Sequence, residues 1–207
     1  MGRTLPFRLT LASGSQGRRY LLEREGYTFD VKPSNVPEPT EAADGNIRDY
    51  VMRVAWSKAA AVGPTVADGV VLAADSVGWI DDHVIGKPED EADARRILKT
   101  LSGRVHELWT GVCLWRRADG WQLQWQEVSR VRMKALAGDE IEAYLKTRRW
   151  EGCSGAYAIQ EEGDPYLTVE EGSTSNVIGL PMESLARAFA WLSAAPAPGP
   201  TPGPRPA

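Results

Sequence analysis

The sequence predicts an α/β fold: a mixed, twisted sheet with helices flanking it. Three observations lead there. The unbroken apolar run Val70-Val71-Leu72-Ala73-Ala74 suits a strand covered on both faces. Helix-period stripes separate the strand-like runs of the first half, as parallel crossovers require. Two long strand-like segments then meet at Ala118-Asp119-Gly120, a hairpin signal, so part of the sheet is antiparallel. With 207 residues, 43% of them hydrophobic, the chain can bury one substantial core, as one domain or two closely packed lobes.

Each element follows from local chemistry. Phe7 to Ala12 reads as a first strand, and Ser13-Gly14-Ser15-Gln16-Gly17 as a turn into a helix carrying Arg18, Arg19, Leu21 and Leu22 and ending at Gly26. Thr28 to Lys32 is a second strand, running into the irregular stretch Pro33 to Thr40. Asn46 can cap a helix whose apolar stripe is Ile47, Tyr50, Val51 and Val54, with Lys58 continuing it. The strand from Val70 delivers Asp75 to the sheet's carboxyl edge, where open α/β folds place ligand chemistry. A hairpin-like segment follows, with Asp81-Asp82 at its tip and Ile85 in its return. Asp90 starts a helix with Ala94, Ile97, Leu98 and Leu101 at helical spacing, closed by Ser102-Gly103. Leu108 to Trp115 and Trp121 to Met133 are the long hairpin strands, followed by a short helix with Ile141, Tyr144 and Leu145. Ala156 to Gln160 and Tyr166 to Val169 read as further strands, and Leu185, Ala188, Phe189 and Leu192 as the face of a last helix. The folded domain is expected over residues 1–193. From residue 194 to 207 the Pro/Ala/Gly-rich tail offers no core-forming residue and reads as disordered.

Composition excludes several classes. A net charge of −4 gives no general attraction for polyanions, so a nucleic-acid polymer or membrane surface is not the expected partner, and a small anion would need a locally basic pocket. Two cysteines, Cys113 and Cys153, are too few and too far apart for a disulfide framework or a zinc site. No apolar leader or span is legible, and a cytoplasmic protein is expected.

Four features carry chemistry. Ser13, Gly14, Ser15, Gly17 and Arg18 stand where a strand passes into a helix, so unpaired amides and a guanidinium could cradle phosphate oxygens; the same residues could equally be only a turn. It is not the P-loop pattern. Lys58, on an otherwise inward face, either snorkels outward or aims its ammonium into an anion-filled cleft. Lys87, fixed between Gly86 and Pro88, is a candidate phosphate contact or an exposed loop lysine. Glu38 and Asp75 are paired here as oxygen donors for a hard divalent cation, whose sites often take one or two carboxylates plus phosphate oxygens. His106 reads as a structural or supporting residue, and no Ser-His-Asp set is evident.

The blocks Leu11-Ala12-Ser13-Gly14-Ser15 with Arg18, Leu21 and Leu22, then Ala74-Asp75-Ser76-Val77, Gly86-Lys87-Pro88, Leu101-Ser102-Gly103 with His106, Thr110 and Gly111, Gly155-Ala156-Tyr157-Ala158-Ile159-Gln160, and Asn176-Val177-Ile178-Gly179-Leu180-Pro181 occur in order. Together they resemble the Maf family, nucleoside triphosphate pyrophosphatases once called septum-formation inhibitors. The resemblance runs from about Leu9 to Phe189. It implies a fold like that of inosine triphosphate pyrophosphatases, with the site in a cleft between two lobes. It further implies cleavage of a nucleoside triphosphate between its α and β phosphates with a divalent cation, Mg²⁺ or Mn²⁺, and a homodimer. Asp75 matches the family's proton acceptor, and Ser13, Ser15, Arg18, Glu38, Lys58, Lys87 and Gln160 match substrate and metal positions.

The chain also departs from the family's pattern. It reads Ser15-Gln16-Gly17-Arg18 where many members read Ser-Pro-Arg-Arg, and Pro37-Glu38 where Asp-Glu is usual. Gly17, Ser76 and Gln160 stand at specificity positions. Gln160 fits the dTTP/UTP branch, whereas Gly17 is expected to widen the pocket and loosen base discrimination, so the base preference stays open between dTTP/UTP and broader nucleotide use. The competing class is a nucleotide-binding regulator of cell division with little turnover.

Overall fold

The side chains of β3 (Val70–Ile80) alternate between two cores and so define the architecture. Val70, Leu72 and Ala74 pack into a cluster with Leu21, Leu22, Leu185 and Phe189 on one face of the sheet. Val71 and Ala73 pack with Ala55, Ala59 and Val62 on the other. The period-two pleat alone accounts for this division. The structure, a computed structural model, describes residues 3–37, 46–159 and 163–194.

Seven strands form one mixed sheet in the order β2-β1-β3-β5-β6-β7, with β4 (His83–Ile85) also on β3. β1 (Leu9–Leu11) is parallel to both β2 (Asp30–Val31) and β3. β5 (Val105–Arg116), β6 (Gln122–Met133) and β7 (Leu167–Glu171) continue antiparallel, as the hairpin signal predicts. Helices α1 (Gln16–Arg24) and α6 (Met182–Ala194) supply side chains to the first core, and α2 (Ile47–Val62) covers the opposite face against β3 and β5. A further core joins α3 (Glu91–Leu101) and α4 (Gly138–Lys146) to Leu108, Val131 and Met133. Asn46 and Asp90 cap their helices as the sequence suggests, and Ser15, read only as part of a turn, caps α1; each accepts from the amide three residues on.

Two expectations are corrected. β3 does not end at Asp75; it runs to Ile80, because β5 pairs with it from Val70 to Trp79 and β4 pairs with its far end from Gly78 to Ile80. What stops at this level is β1, whose pairing with β3 ends at Leu11↔Leu72. Between the two partners, the edge of β3 around Asp75 is left open, so the crevice arises where a short parallel neighbour ends beside a long strand. The stretch from Ala156 is not a strand: a 3-10 turn, Ser154–Ala156, leads into irregular chain up to Ile159. A short helix absent from the sequence reading, α5 (Thr174–Ile178), packs against α1. α6 extends through Ala194, and the remaining tail, 195–207, lies outside the described residues. Among the described residues no helix is long and apolar enough to cross a membrane.

Candidate active site

Asp75 shares the face of β3 that carries Val71, Ala73 and Val77, and that face lies under α2. Lys58, on the inward stripe of α2, therefore meets it: Nζ lies 2.7 Å from Oδ1, and the two residues are 5% and 3% exposed. The lysine does not snorkel outward. Such a pair is held only because each partner compensates the other's lost hydration. Asp75 Oδ2 is buried and has no hydrogen-bond partner among the described residues, which leaves one carboxylate oxygen available to a water or a cation.

A glycine makes this contact reachable. Gly111 of β5 is the direct neighbour of Asp75 across the ladder, and a Cβ there would lie 2.3 Å from the carbonyl oxygen of Val51. The backbone of α2 thus rests on β5 where no side chain intervenes, two turns before Lys58. Nothing local in the sequence marks Gly111; its role is visible only once α2 is placed.

The opposite face of β3 presents Ser76, which faces α1. Arg18, 8% exposed, spans the gap: Nε donates to Gly179 O (3.0 Å), Nη1 to Ser13 Oγ (3.0 Å) and Nη2 to Ser76 Oγ (3.2 Å). Ser76 Oγ also bonds Thr110 Oγ1 at 2.9 Å. The expected amide cradle is partly used internally, since Ser13 Oγ accepts from Ser15 N and Ser15 Oγ from Arg18 N. Gln16 and Gly17, opening the helix, keep amides with no intrahelical acceptor. At Gly17 the space next to the backbone is taken by Ile178. A Cβ on it would meet Ile178 O at 2.9 Å and Ile178 Cγ2 at 3.0 Å, so the glycine lets α5 close on α1.

The third wall is the segment 153–159, tied to four separate parts of the chain by hydrogen bonds. Ser154 Oγ donates to Ser76 O (2.9 Å), Gly155 N to Gly86 O (3.0 Å), and Ala158 N to Tyr144 Oη (2.9 Å). The Tyr157 hydroxyl and His106 Nε2 are 2.6 Å apart in a buried pair, consistent with the supporting role read for His106. Burial pushes the imidazole down to about 4 and the tyrosine well above its ordinary range. These walls enclose an open cavity of about 950 Å³, lined by Ser13, Ser15, Gly17, Arg18, Lys58, Asp75, Ser76 and Lys87 among others. It lies between the core under α1 and α6 and the core under α3 and α4. Glu38 and Gln160 lie outside the described residues. Tyr157, Ser154 and Arg149 line the cavity without having been singled out: Tyr157 stands in a quoted block, whereas Arg149 carries no sequence signal.

Residues 8–192 match the family described as Maf-like protein. This chain belongs to the Maf family. Among proteins similar to this Maf chain, the dTTP/UTP pyrophosphatase of Rhodopirellula baltica is 39% identical over 186 residues, which cover 89% of this chain and 82% of that protein. The dTTP/UTP pyrophosphatase of Anaeromyxobacter sp. (strain Fw109-5) is 42% identical over 185 residues, 88% of each. A solved nucleoside-triphosphatase / dITP/XTP pyrophosphatase from Mycobacterium abscessus aligns over 89% of the Maf chain and 94% of its own, with a TM-score of 0.40 and 16% identity, a likeness too distant to equate residues.

Proposed function

We propose that this protein is a cytoplasmic nucleoside triphosphate pyrophosphatase that hydrolyses dTTP and UTP to the monophosphate and pyrophosphate, clearing nucleotides before a polymerase uses them. The observation that carries the reading is the buried carboxylate of Asp75, held by Lys58 through one oxygen and without a hydrogen-bond partner among the described residues at the other, on the wall of a large cavity also lined by the cations Arg18, Lys58, Lys87 and Arg149. Relatives bearing the dTTP/UTP pyrophosphatase name support the base preference. No observation favours the alternative of a nucleotide-binding regulator with little turnover.

In this mechanism water attacks the α-phosphorus while Asp75 Oδ2 takes its proton. The bond from that phosphorus to the α,β-bridging oxygen breaks, and pyrophosphate leaves with the electron pair. The Lys58 ammonium holds Asp75 through Oδ1 and leaves Oδ2 for the water's proton. The helix-opening amides of Gln16 and Gly17, with Lys87, bind phosphate oxygens; phosphoryl transfer depends chiefly on such positioning and charge stabilisation.

A divalent cation, Mg²⁺ or Mn²⁺, would be held by phosphate oxygens and Glu38 beside the Asp75 carboxylate, whose charge favours it there while Oδ2 is left to the water's proton. Among the described residues no cluster of three His, Cys, Asp or Glu side chains could hold it without substrate. Once bound it would neutralise charge on the phosphates. The Maf resemblance also supports a homodimer, which light scattering of the purified chain tests.

The deciding experiment is a panel of dTTP, UTP, CTP, dATP and dGTP with magnesium, run in ¹⁸O-labelled water. Pyrophosphate release, label in the monophosphate, and preference for dTTP and UTP are expected. Label in orthophosphate split from the γ position would overturn the mechanism.

A further inference from the structure

We propose that Arg149 holds the β,γ end of the triphosphate and the departing pyrophosphate. This rests on the pyrophosphatase reading and adds a binding residue that no quoted motif contains. The argument begins with charge. The described charged residues lining the cavity are the cations Arg18, Lys58, Lys87 and Arg149 and the anions Asp75 and Glu151. Lys58 is bound to Asp75, and Glu151 is held by Arg148, with Nη2 2.7 Å from Oε1. Arg18 is spread over Ser13, Ser76 and Gly179. The substrate's charge is concentrated on its β and γ phosphates, and once the α-phosphorus is at Asp75 these must be met elsewhere on the wall.

Arg149 and Lys87 supply that place. Gly155 N donates to Gly86 O (3.0 Å), the residue before Lys87, and Cys153 Sγ donates to Arg149 O (3.5 Å), so the turn carrying Arg149 adjoins the loop carrying Lys87 on one cavity wall. Arg95, Arg96, Arg104, Arg116 and Arg148 all reach carboxylates. Arg149 has no carboxylate partner among the described residues. Its one hydrogen bond there runs from Nη2 to Ala158 O, 3.3 Å away, which leaves most of a five-donor fork for an anion. The turn that presents it is well fixed: Thr147 Oγ1 donates to Tyr144 O (2.6 Å), and buried Trp150 donates from Nε1 to Leu145 O (3.1 Å). A guanidinium on a fixed turn suits the paired oxygens of a diphosphate.

The test compares the full-length protein with its Arg149→Gln and Arg149→Lys variants. Inorganic pyrophosphate and dTMP are titrated into each by calorimetry in magnesium buffer, alongside the KM for dTTP. Arg149→Gln is expected to weaken pyrophosphate about tenfold or more while dTMP stays within about twofold, and Arg149→Lys to fall between. Equal weakening of pyrophosphate and dTMP would mean that Arg149 acts only by placing Ala158 and would overturn the proposal, as would unchanged pyrophosphate binding. Because titration needs no turnover, a wild-type protein that binds pyrophosphate through Arg149 yet releases none from dTTP would sink the functional reading alone.

Discussion

Asp75 and Lys58 are the residues on which burial, charge and chemistry meet. Breaking a buried pair by removing one partner typically costs about 3–5 kcal/mol, because the other charge is left without compensation. Lys58→Met should therefore destabilise the fold by that order, and adding Asp75→Asn should restore part of the loss. Urea unfolding of the two single variants and the double variant measures this; strictly additive effects would refute the coupling. Asp75→Asn alone should keep the cavity's shape and lose the proton acceptor, lowering turnover by about 10²–10⁴-fold. Arg18, read in the sequence as a phosphate ligand, makes three bonds that join α1, β3 and the end of α5. Its loss should cost structure as well as substrate affinity.

At the scale of elements, the decisive contact is α2 on β5. Gly111→Ala puts a methyl group against the Val51 carbonyl, where only a shift of the helix relieves the clash. Overpacking of this kind costs about 1–3 kcal/mol. The same shift moves Lys58 against Asp75, and misplacement by an ångström can cost about 10²-fold in rate. The expected outcome is a folded variant with lowered Tm whose kcat falls at least about tenfold at a temperature where it remains native; full turnover per folded molecule would show that helix placement does not set the site. The Gly17 position behaves likewise. Because Ile178 fills the space beyond it, Gly17→Arg should part α1 from α5 and lower activity toward every base together. A change confined to the ratio of kcat/KM values among bases would restore the pocket-widening account.

At the scale of the whole molecule, His106 links stability to pH. Burial lowers its pKa from 6.5 to about 4, so between these values the unfolded chain holds more protons than the folded one. Its contribution to stability is full above 6.5 and is lost as pH falls through the window, by about 2–3 kcal/mol at pH 4.5. His106→Gln, which can still bond the Tyr157 hydroxyl, should flatten that part of the profile relative to the wild type. Unfolding measured at pH 7 and 4.5 checks this, and parallel profiles for the two proteins would refute it.

Most of the secondary structure was legible because its causes are local. Apolar periodicity marked α2 and α3, the caps Asn46 and Asp90 marked helix starts, and Ala118-Asp119-Gly120 marked the β5–β6 hairpin. The inward position of Lys58 was legible for the same reason, since a stripe fixes which face a residue occupies. The order of motif blocks was enough to indicate the family, later matched over residues 8–192. Tertiary structure alone decided the rest. β3 runs past Asp75 because β4 and β5 both offer it backbone partners, and no window around residue 75 contains that information. The chain after Ser154 is irregular because its polar groups are satisfied by Ser76, Gly86, His106 and Tyr144, all distant in sequence. Gly17 and Gly111 look alike as glycines, yet one admits α5 and the other α2, and only the approach of a second backbone reveals which space each leaves open. Local propensity and pattern determine where elements form; the pairing of their edges determines where a strand is left open, and that opening made the site.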